Sequence, residues 1–570
     1  MEKWVVAAKR ADFKKIAEDF DIDQVTARLI RNRDILGNEQ IEKYLRGTRK
    51  DLYSPWLLKD MERIVDILQA KIGQNSFIRI IGDYDIDGVM ATYILFQGLS
   101  RLGANVDYVI PDRIEDGYGL NEHLIEQAYA AGVDTILTCD NGIAASSQIQ
   151  RAKDLGMTVL VTDHHEVPFE DTEEGRVEIL PPADAIVNQK QKACTYPFEG
   201  LCGAVVAMKV MEALYEKMRP GFDFVYEVLE FAAIATIGDV MDLKDENRIL
   251  VKEGLQKLHR TSNLGLQELI RVNQLEPSQI SPYHVGFILG PCLNASGRLD
   301  TAQRALKMLC ASSRQEAARL AGDLKNLNES RKEMTAKGVE DAVEQVENTS
   351  LKEDSVLIIF LPECHESLAG IIAGRIRERY HKPSFVLTRT VEGVKGSGRS
   401  IESYSMYEKL CECKEFLTKF GGHPMAAGLS LREEDVEAFR RKMNALAGLT
   451  PEDFVEKIMI DVPMPIHYIN RRLIEELKLL EPFGKGNEKP VFAQKGLRVS
   501  GARVLGKNRN VVKMRLIDEA GYPLDAVYFG DGDAFVQDVL RRNSVSILYY
   551  PEVNSYMGRE TLQVVIKSYQ

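Results

Sequence analysis

The chain has 570 residues, 45% hydrophobic and 28% charged, with a formal net charge of −12. That composition describes a multidomain globular protein; the acidic balance excludes a wholly basic nucleic-acid-coating protein but leaves room for a channel with locally basic walls. No apolar run reaches the ~20 residues of a membrane-spanning helix, the start Met1-Glu2-Lys3-Trp4 lacks the pattern of a secretory signal, and the scattered cysteines form no pair of CxxC units, which argues against a zinc ribbon and for a reducing cytoplasm.

Residues 1 to about 55 read as short helices. From about 56 to 240, candidate strands at 77–82, 105–110, 134–139, 157–162 and 184–187 alternate with candidate helices at 57–73, 88–102, 121–131, 143–155 and 203–218. Such alternation predicts βαβ units and a parallel sheet. Residues 224–273 read as helical, and a stretch from about 302 to 347 without proline predicts a long helix bridging two domains. A second α/β module begins at Ser355-Val356-Leu357-Ile358-Ile359-Phe360 and runs to about 445. After a helical link at 467–480, strands at 496–505, 511–518, 524–529, 544–550 and 561–568, with a helix at 533–541, predict an OB-like barrel. The expected class is α/β, divided into an N-terminal helical segment (1–55), a parallel-sheet domain (56–300), a long connecting helix (301–350), a second α/β domain (351–450), and a helical link with an OB-like β-barrel (451–570).

Three predicted strands end on the same chemistry. Asp83-Tyr84-Asp85-Ile86-Asp87-Gly88 follows the first, Asp140-Asn141-Gly142 the third, and Asp163-His164-His165 the fourth. Acids crowded at strand ends repel one another, and a divalent cation is the usual remedy. Ligands of open α/β sheets also collect beyond the carboxyl ends of the strands. Asp239 ends the apolar stretch Ala235-Thr236-Ile237-Gly238, where a carboxylate is costly unless it caps a helix or holds a cation. Alone, each motif is weak; in order, Asp85, Asp87, Asp140, His164 and Asp239 form an oxygen-and-imidazole set suited to Mn2+ or Mg2+. Two ions ~3.5–4 Å apart, sharing one carboxylate, would serve displacement at phosphorus.

DYDIDG, DNG, DHH and GDV, in that order, resemble the four motifs of the DHH phosphoesterase superfamily. Asn294-Ala295-Ser296-Gly297-Arg298, Leu327-Asn328-Glu329-Ser330-Arg331, Gly396-Ser397-Gly398-Arg399-Ser400, Phe420-Gly421-Gly422-His423 and Leu480-Glu481-Pro482-Phe483-Gly484-Lys485-Gly486-Asn487 narrow the likeness to the RecJ family within it. The resemblance spans about 50 to 570 and implies a DHH domain, a DHH-associated domain and an OB-fold acting as a single-stranded-DNA-specific 5′→3′ exonuclease of repair and recombination. It implies metal ligation by Asp85, Asp87, Asp140, His164 and Asp239, with Asp140 bridging, and a catalytic role for His165 facing the scissile phosphate. For Asp83 a strand-end hydrogen bond and ligation both stay open. Phosphates of the DNA end are expected on Arg298, Ser397 and Arg399, with His423, His365 and Arg375 as further strand contacts. Arg298 is expected in a turn after Gly297, and Arg399 in a loop of similar logic.

Two departures stand out. Ile81 occupies a position where many superfamily members have histidine, and Cys364 precedes His365 where many family members have tryptophan. Other basic residues fall on the long helix (Lys325, Arg331, Lys332) and in the tail (Arg498, Arg503, Lys507, Arg509, Lys513), near Tyr522, Tyr528 and Tyr556. An OB face holding single strands with cations and stacked rings is one reading of the tail set; a solvated face with core tyrosines is the other. Expected partners are single-stranded DNA and, by resemblance only, a single-strand-binding protein, with no membrane and a monomeric chain. Two rivals are a small-substrate phosphodiesterase of the same superfamily, acting on short oligonucleotides or cyclic dinucleotides, and a non-catalytic single-strand-binding scaffold. The OB-like tail opposes the first, and the intact acid set opposes the second.

Overall fold

A computed structural model describes residues 2–113, 119–172, 175–556 and 558–570. The first sheet is parallel throughout, in the spatial order Val106–Val109, Ile78–Ile81, Thr135–Cys139, Thr158–Thr162, Ala185–Val187. The strands are mostly apolar, as a sheet covered on both faces requires, and the charged exceptions, Arg79 and Asp107 on the partly buried edge strand, pair with each other. One face packs against Met61–Gly73, Ile86–Arg101 and Gly203–Met218 through Ile80, Val89, Leu137 and Val206. The other packs Ile81, Ile136 and Val159 under Glu122–Ala130 and Ser146–Asp154. Ile81 is thus a core residue of the sheet. The first and third strands in sequence lie side by side, and the chain winds away from them in opposite directions. That is the topological switch point of the sheet, where a crevice opens beyond the strand ends.

The predicted long helix is broken. A short helix, Gln303–Leu309, ends before Ser313 caps a 35-residue helix, Arg314–Asn348. This helix leaves the first domain and packs on the second, where Ala342 and Val346 meet Ile372 and Ile376 of Ala369–Tyr380. The second domain has a mixed sheet in the order Leu417–His423, Ala426–Leu431, Gly393–Arg399, Ser384–Thr390, Leu357–Phe360. Arg399 therefore lies at the end of a strand rather than in a loop. Arg298 lies near the end of the helix Gly290–Leu299 rather than in a turn.

The tail closes into a barrel, because Phe492–Leu505 pairs with both Val511–Ile517 and Val545–Tyr556. Its helix, Gly532–Leu540, fills the predicted slot. The first 55 residues hold more than helices: Glu2–Val6 pairs in parallel with Glu456–Ile460. Leu29, Ile30 and Leu45 share one apolar core with Leu473, Phe492 and Ile547, so the N-terminal segment packs on the link and barrel at the other end of the chain.

Candidate active site

The first acidic loop is built by its own backbone. Asp85 caps Ile86–Arg101, its Oδ1 accepting from the N–H groups of Asp87 (2.9 Å) and Gly88 (3.1 Å). The chain folds back so tightly that a Cβ on Gly88 would lie 2.5 Å from the Asp83 carbonyl oxygen. Asp87 reaches across the site, and its carboxylate accepts the N–H groups of Gly203 (2.6 Å) and Ala204 (2.8 Å) at the start of Gly203–Met218. A helix N-terminus is a natural seat for a carboxylate. Asp140 sits at φ +60, a left-handed conformation unusual outside glycine. Asp239 is the C-cap of Phe224–Gly238, so its carboxylate does not cap a helix start, and Val240 after it is also left-handed at φ +55. Strain of this kind in a β-branched residue is held only where the surroundings enforce it.

These side chains converge. His164 Nε2 lies 3.0 Å from Asp140 Oδ1, 3.5 Å from Asp87 Oδ2 and 3.8 Å from Asp239 Oδ2. Asp83, Asp85 and Asp140 form a second group with ligand atoms all within 4.8 Å of one another. Burial first, and the neighbouring carboxylates second, push the carboxyls of Asp85 and Asp140 upward and those of Asp83 and Asp239 up to about 8. Burial lowers the His164 imidazole, leaving it neutral and able to ligate. Asp83 Oδ1 and His164 Nδ1 are buried with no hydrogen-bond partner among the described residues. Buried carboxylates crowded this closely, with polar atoms left over, fit a divalent cation in both donor type and charge. His165 differs. Burial opposes its charged form, but Asp163, 2.8 Å away at Nδ1, outweighs burial and lifts it to about 9. Asp163 also accepts the backbone N–H groups of His164 (2.7 Å) and Ile143 (2.9 Å), so it orients the His165 ring and pins the backbone beneath His164. Its place inside the DHH motif was visible in sequence; its task was not.

Family models match three stretches: the DHH family, N-terminal domain, over 77–236; the DHHA1 domain over 353–448; and the RecJ OB domain over 460–568. A single-stranded-DNA-specific exonuclease RecJ from Bacillus subtilis (strain 168) is 35% identical over 570 residues, covering 99% of this chain and 70% of its own. A protein of the same name from Haemophilus influenzae is 34% identical over 559 residues, covering 95% of each chain. The chain belongs to the RecJ family. The crystal structure of RecJ in complex with Mn2+ from Thermus thermophilus matches it at a TM-score of 0.85 and 27% identity, covering 100% of this chain and 79% of that one. A Mg2+ complex of the Thermus protein matches at 0.78.

In this RecJ-family chain a cleft of about 880 Å³ opens between the two α/β domains. Tyr84 and Arg113 line one wall; Ser397, His423, Lys395 and Lys419 line the other. Tyr84 stands between Asp83 and Asp85, so the cleft adjoins the acid cluster. Arg298 and Arg399 lie behind its walls. Arg298 donates to the Ser367 carbonyl (2.8 Å), tying the domains together, and burial followed by the nearby charges of Arg113 and Arg331 lowers it to about 10. Arg399 donates to the Gly398 carbonyl (2.7 Å) and the Ser397 hydroxyl (3.2 Å). His365 is placed apart, bonded to Ser367 Oγ and lining a separate 380 Å³ pocket against the long helix. Sequence reasoning missed Arg113, which has no motif around it, and Lys395 and Lys419, which stand one residue before two of the quoted motifs.

In the tail, the ring of Tyr528 stacks on Phe535 at 4.4 Å and packs, partly buried, against the barrel core. Arg509 is paired with Asp533 (2.5 Å), and Lys325 donates to the Val272 carbonyl (2.6 Å). Tyr522 is partly exposed, and the side chain of Tyr556 lies outside the described residues.

Proposed function

We propose that this chain hydrolyses single-stranded DNA from its 5′ end and releases mononucleotides, as a metal-dependent exonuclease of repair and recombination. The observation that carries the reading is the meeting of Asp85, Asp87, Asp140, His164 and Asp239 beyond a parallel-sheet switch point, beside a basic cleft. Mn2+ or Mg2+ would be held there by these five residues, with Asp83 beside them and Asp140 shared; when bound, such ions supply a water of lowered pKa and offset charge on the phosphoryl oxygens.

The chain's own groups do the rest. The amides of Gly203 and Ala204 hold the Asp87 carboxylate in one orientation, and Asp163 does the same for the His165 ring while anchoring the backbone at His164. His165, charged at neutral pH, faces the scissile phosphate and offsets its negative charge. Arg298, Ser397 and Arg399 hold the phosphates of the DNA end, with His423 on the cleft wall. After burial, the neighbouring guanidiniums of Arg113 and Arg331 disfavour the charge on Arg298, an arrangement that a phosphate relieves. His365 and Arg375 are assigned to the outgoing strand. The domain division 1–55, 56–300, 301–350, 351–450 and 451–570 belongs to the same proposal, as do a monomeric state, a cytoplasmic location and a single-strand-binding protein as partner. Among the described residues, no helix is long and apolar enough to cross a membrane.

Strands labelled at either end, and the same sequence as a duplex, test the reading with Mn2+ or Mg2+ and with EDTA. The expected result is metal-dependent release of 5′-labelled mononucleotide from the single strand alone. Release first from the 3′ label, equal attack on the duplex, or cleavage confined to strands of a few nucleotides would overturn it.

A further inference from the structure

Tyr283 and Phe287 are 62% and 65% exposed, an unusual placing for two large rings. Their rings stack on each other, with centroids 5.0 Å apart and planes 29° apart. Neither ring joins an apolar cluster of the fold, and the water-exposed apolar area they present is a mark of a binding surface. They stand on Pro282–His284 and on the π-helical turn Val285–Leu289, a backbone form that concentrates at functional sites. The turn and the residue after it pack close to the acid-bearing elements. A Cβ on Gly286 would lie 3.7 Å from Ile237, and one on Gly290 would lie 3.3 Å from Ile86, two residues that flank the acid cluster. The same helical run continues through Gly290–Leu299 to Arg298.

Tyr283 also lines a groove of about 490 Å³ between the first domain and the segment entering the barrel. Lys252, Lys478 and Lys489 line it with Phe483, against a single acid, Glu481. Stacked exposed rings over a groove with excess positive charge are what a single strand of nucleic acid requires. Its bases stack on any ring, and its phosphates follow the cations.

We propose that the Tyr283–Phe287 pair and this lysine-lined groove form a base-stacking platform that holds the single strand on the far side of the reacting end, on its way to the barrel. The proposal rests on the nuclease reading above and adds a length dependence to it. Phe287 and Arg298 are eleven positions apart along the helical run, or ~16 Å at 1.5 Å per residue. A strand rising ~3.4 Å per nucleotide covers that span with about five nucleotides. Strands shorter than this end before the platform; longer ones lie on it.

The test compares oligothymidylates of about 4 and about 20 nucleotides on the full chain with Mn2+. Tyr283→Ala with Phe287→Ala should raise KM for the long strand by about tenfold or more, leave its kcat unchanged, and leave both constants for the short strand unchanged. Tyr283→Phe with Phe287→Trp, which keeps two stacking faces, should restore the long-strand KM. Lys478→Gln with Lys489→Gln should flatten the salt dependence of long-strand binding. An unchanged long-strand KM, or an equal rise for both lengths, would overturn the platform. Fluorescence anisotropy of a labelled ~20-mer in EDTA reads the platform apart from cleavage. Weaker binding in the Ala variant beside an inert wild type would keep the platform and sink the nuclease reading instead.

Discussion

Removing the divalent cation should make the stability of this protein fall as pH rises, and Asp83 shows by how much. The residue is 1% exposed, Oδ1 has no hydrogen-bond partner among the described residues, and burial with the adjacent Asp85 raises its carboxyl from 3.8 to about 8. Between those two values the folded, metal-free chain keeps a proton that the unfolded chain has lost. Stability therefore drops by about 1.4 kcal/mol for each pH unit in that window and levels off above about 8. From pH 5.5 to 7.5 this one group accounts for about 3 kcal/mol, or about 5–10 °C in Tm for a unit the size of the first domain. With the cation bound the carboxylates are ionised in both states, and their part of the slope should vanish. Thermal melts in EDTA and in Mn2+ at the two pH values measure the difference. Asp83→Asn, which cannot ionise, should remove its own share of the metal-free slope and leave the share of Asp239, whose carboxyl is also raised to about 8. A metal-free Tm that holds steady between the two pH values, or one that falls equally with Mn2+ present, would refute the reasoning.

Three further outcomes follow from the site. Asp140→Ala should cut turnover by more than about 100-fold while filter binding of single strands survives, since losing a shared ligand exceeds the usual cost of losing a supporting contact. Gly203→Ala would place a Cβ 2.7 Å from Asp140 Cβ and 2.9 Å from its Oδ1; titration with Mn2+ should show affinity weakened by about tenfold or more, at a stability cost of ~1–3 kcal/mol. Arg399→Ala should raise KM for 5′-phosphorylated strands by about tenfold and change it little for 5′-hydroxyl strands, because a guanidinium that holds a terminal phosphate loses a charge-assisted hydrogen bond worth ~1.5–3 kcal/mol.

The acid motifs were readable because each is a local event. Asp83 to Gly88 fold into one tight turn in which Asp85 caps the following helix and only glycine fits at 88. Apolar runs of strand length ending on Asp140 or Asp163 place those residues at a sheet's carboxyl edge whatever the rest of the chain does. The alternating elements and the five barrel strands were legible for the same reason, since their periods are written within a few residues. Arg298 and Arg399 were misplaced in turns because glycine and serine beside an arginine read as a loop. Here they are held in a helix and a strand by packing: Gly297 presses on the Tyr84 backbone, and Gly398 lies against Phe385.

What the sequence determined by itself was the inventory: which side chains stand at strand ends, and which donor atoms they bring. Only the tertiary structure decided which of them meet. The third strand pairs beside the first across more than fifty residues of chain, which brings Asp140 to Asp85, and beside the fourth, which brings it to His164. The amides of Gly203 and Ala204 reach Asp87 from another helix, and the cleft lined by Arg113, Lys395 and Lys419 exists only between two domains. Contacts of that range are chosen by the packing of whole elements, which no local spacing records.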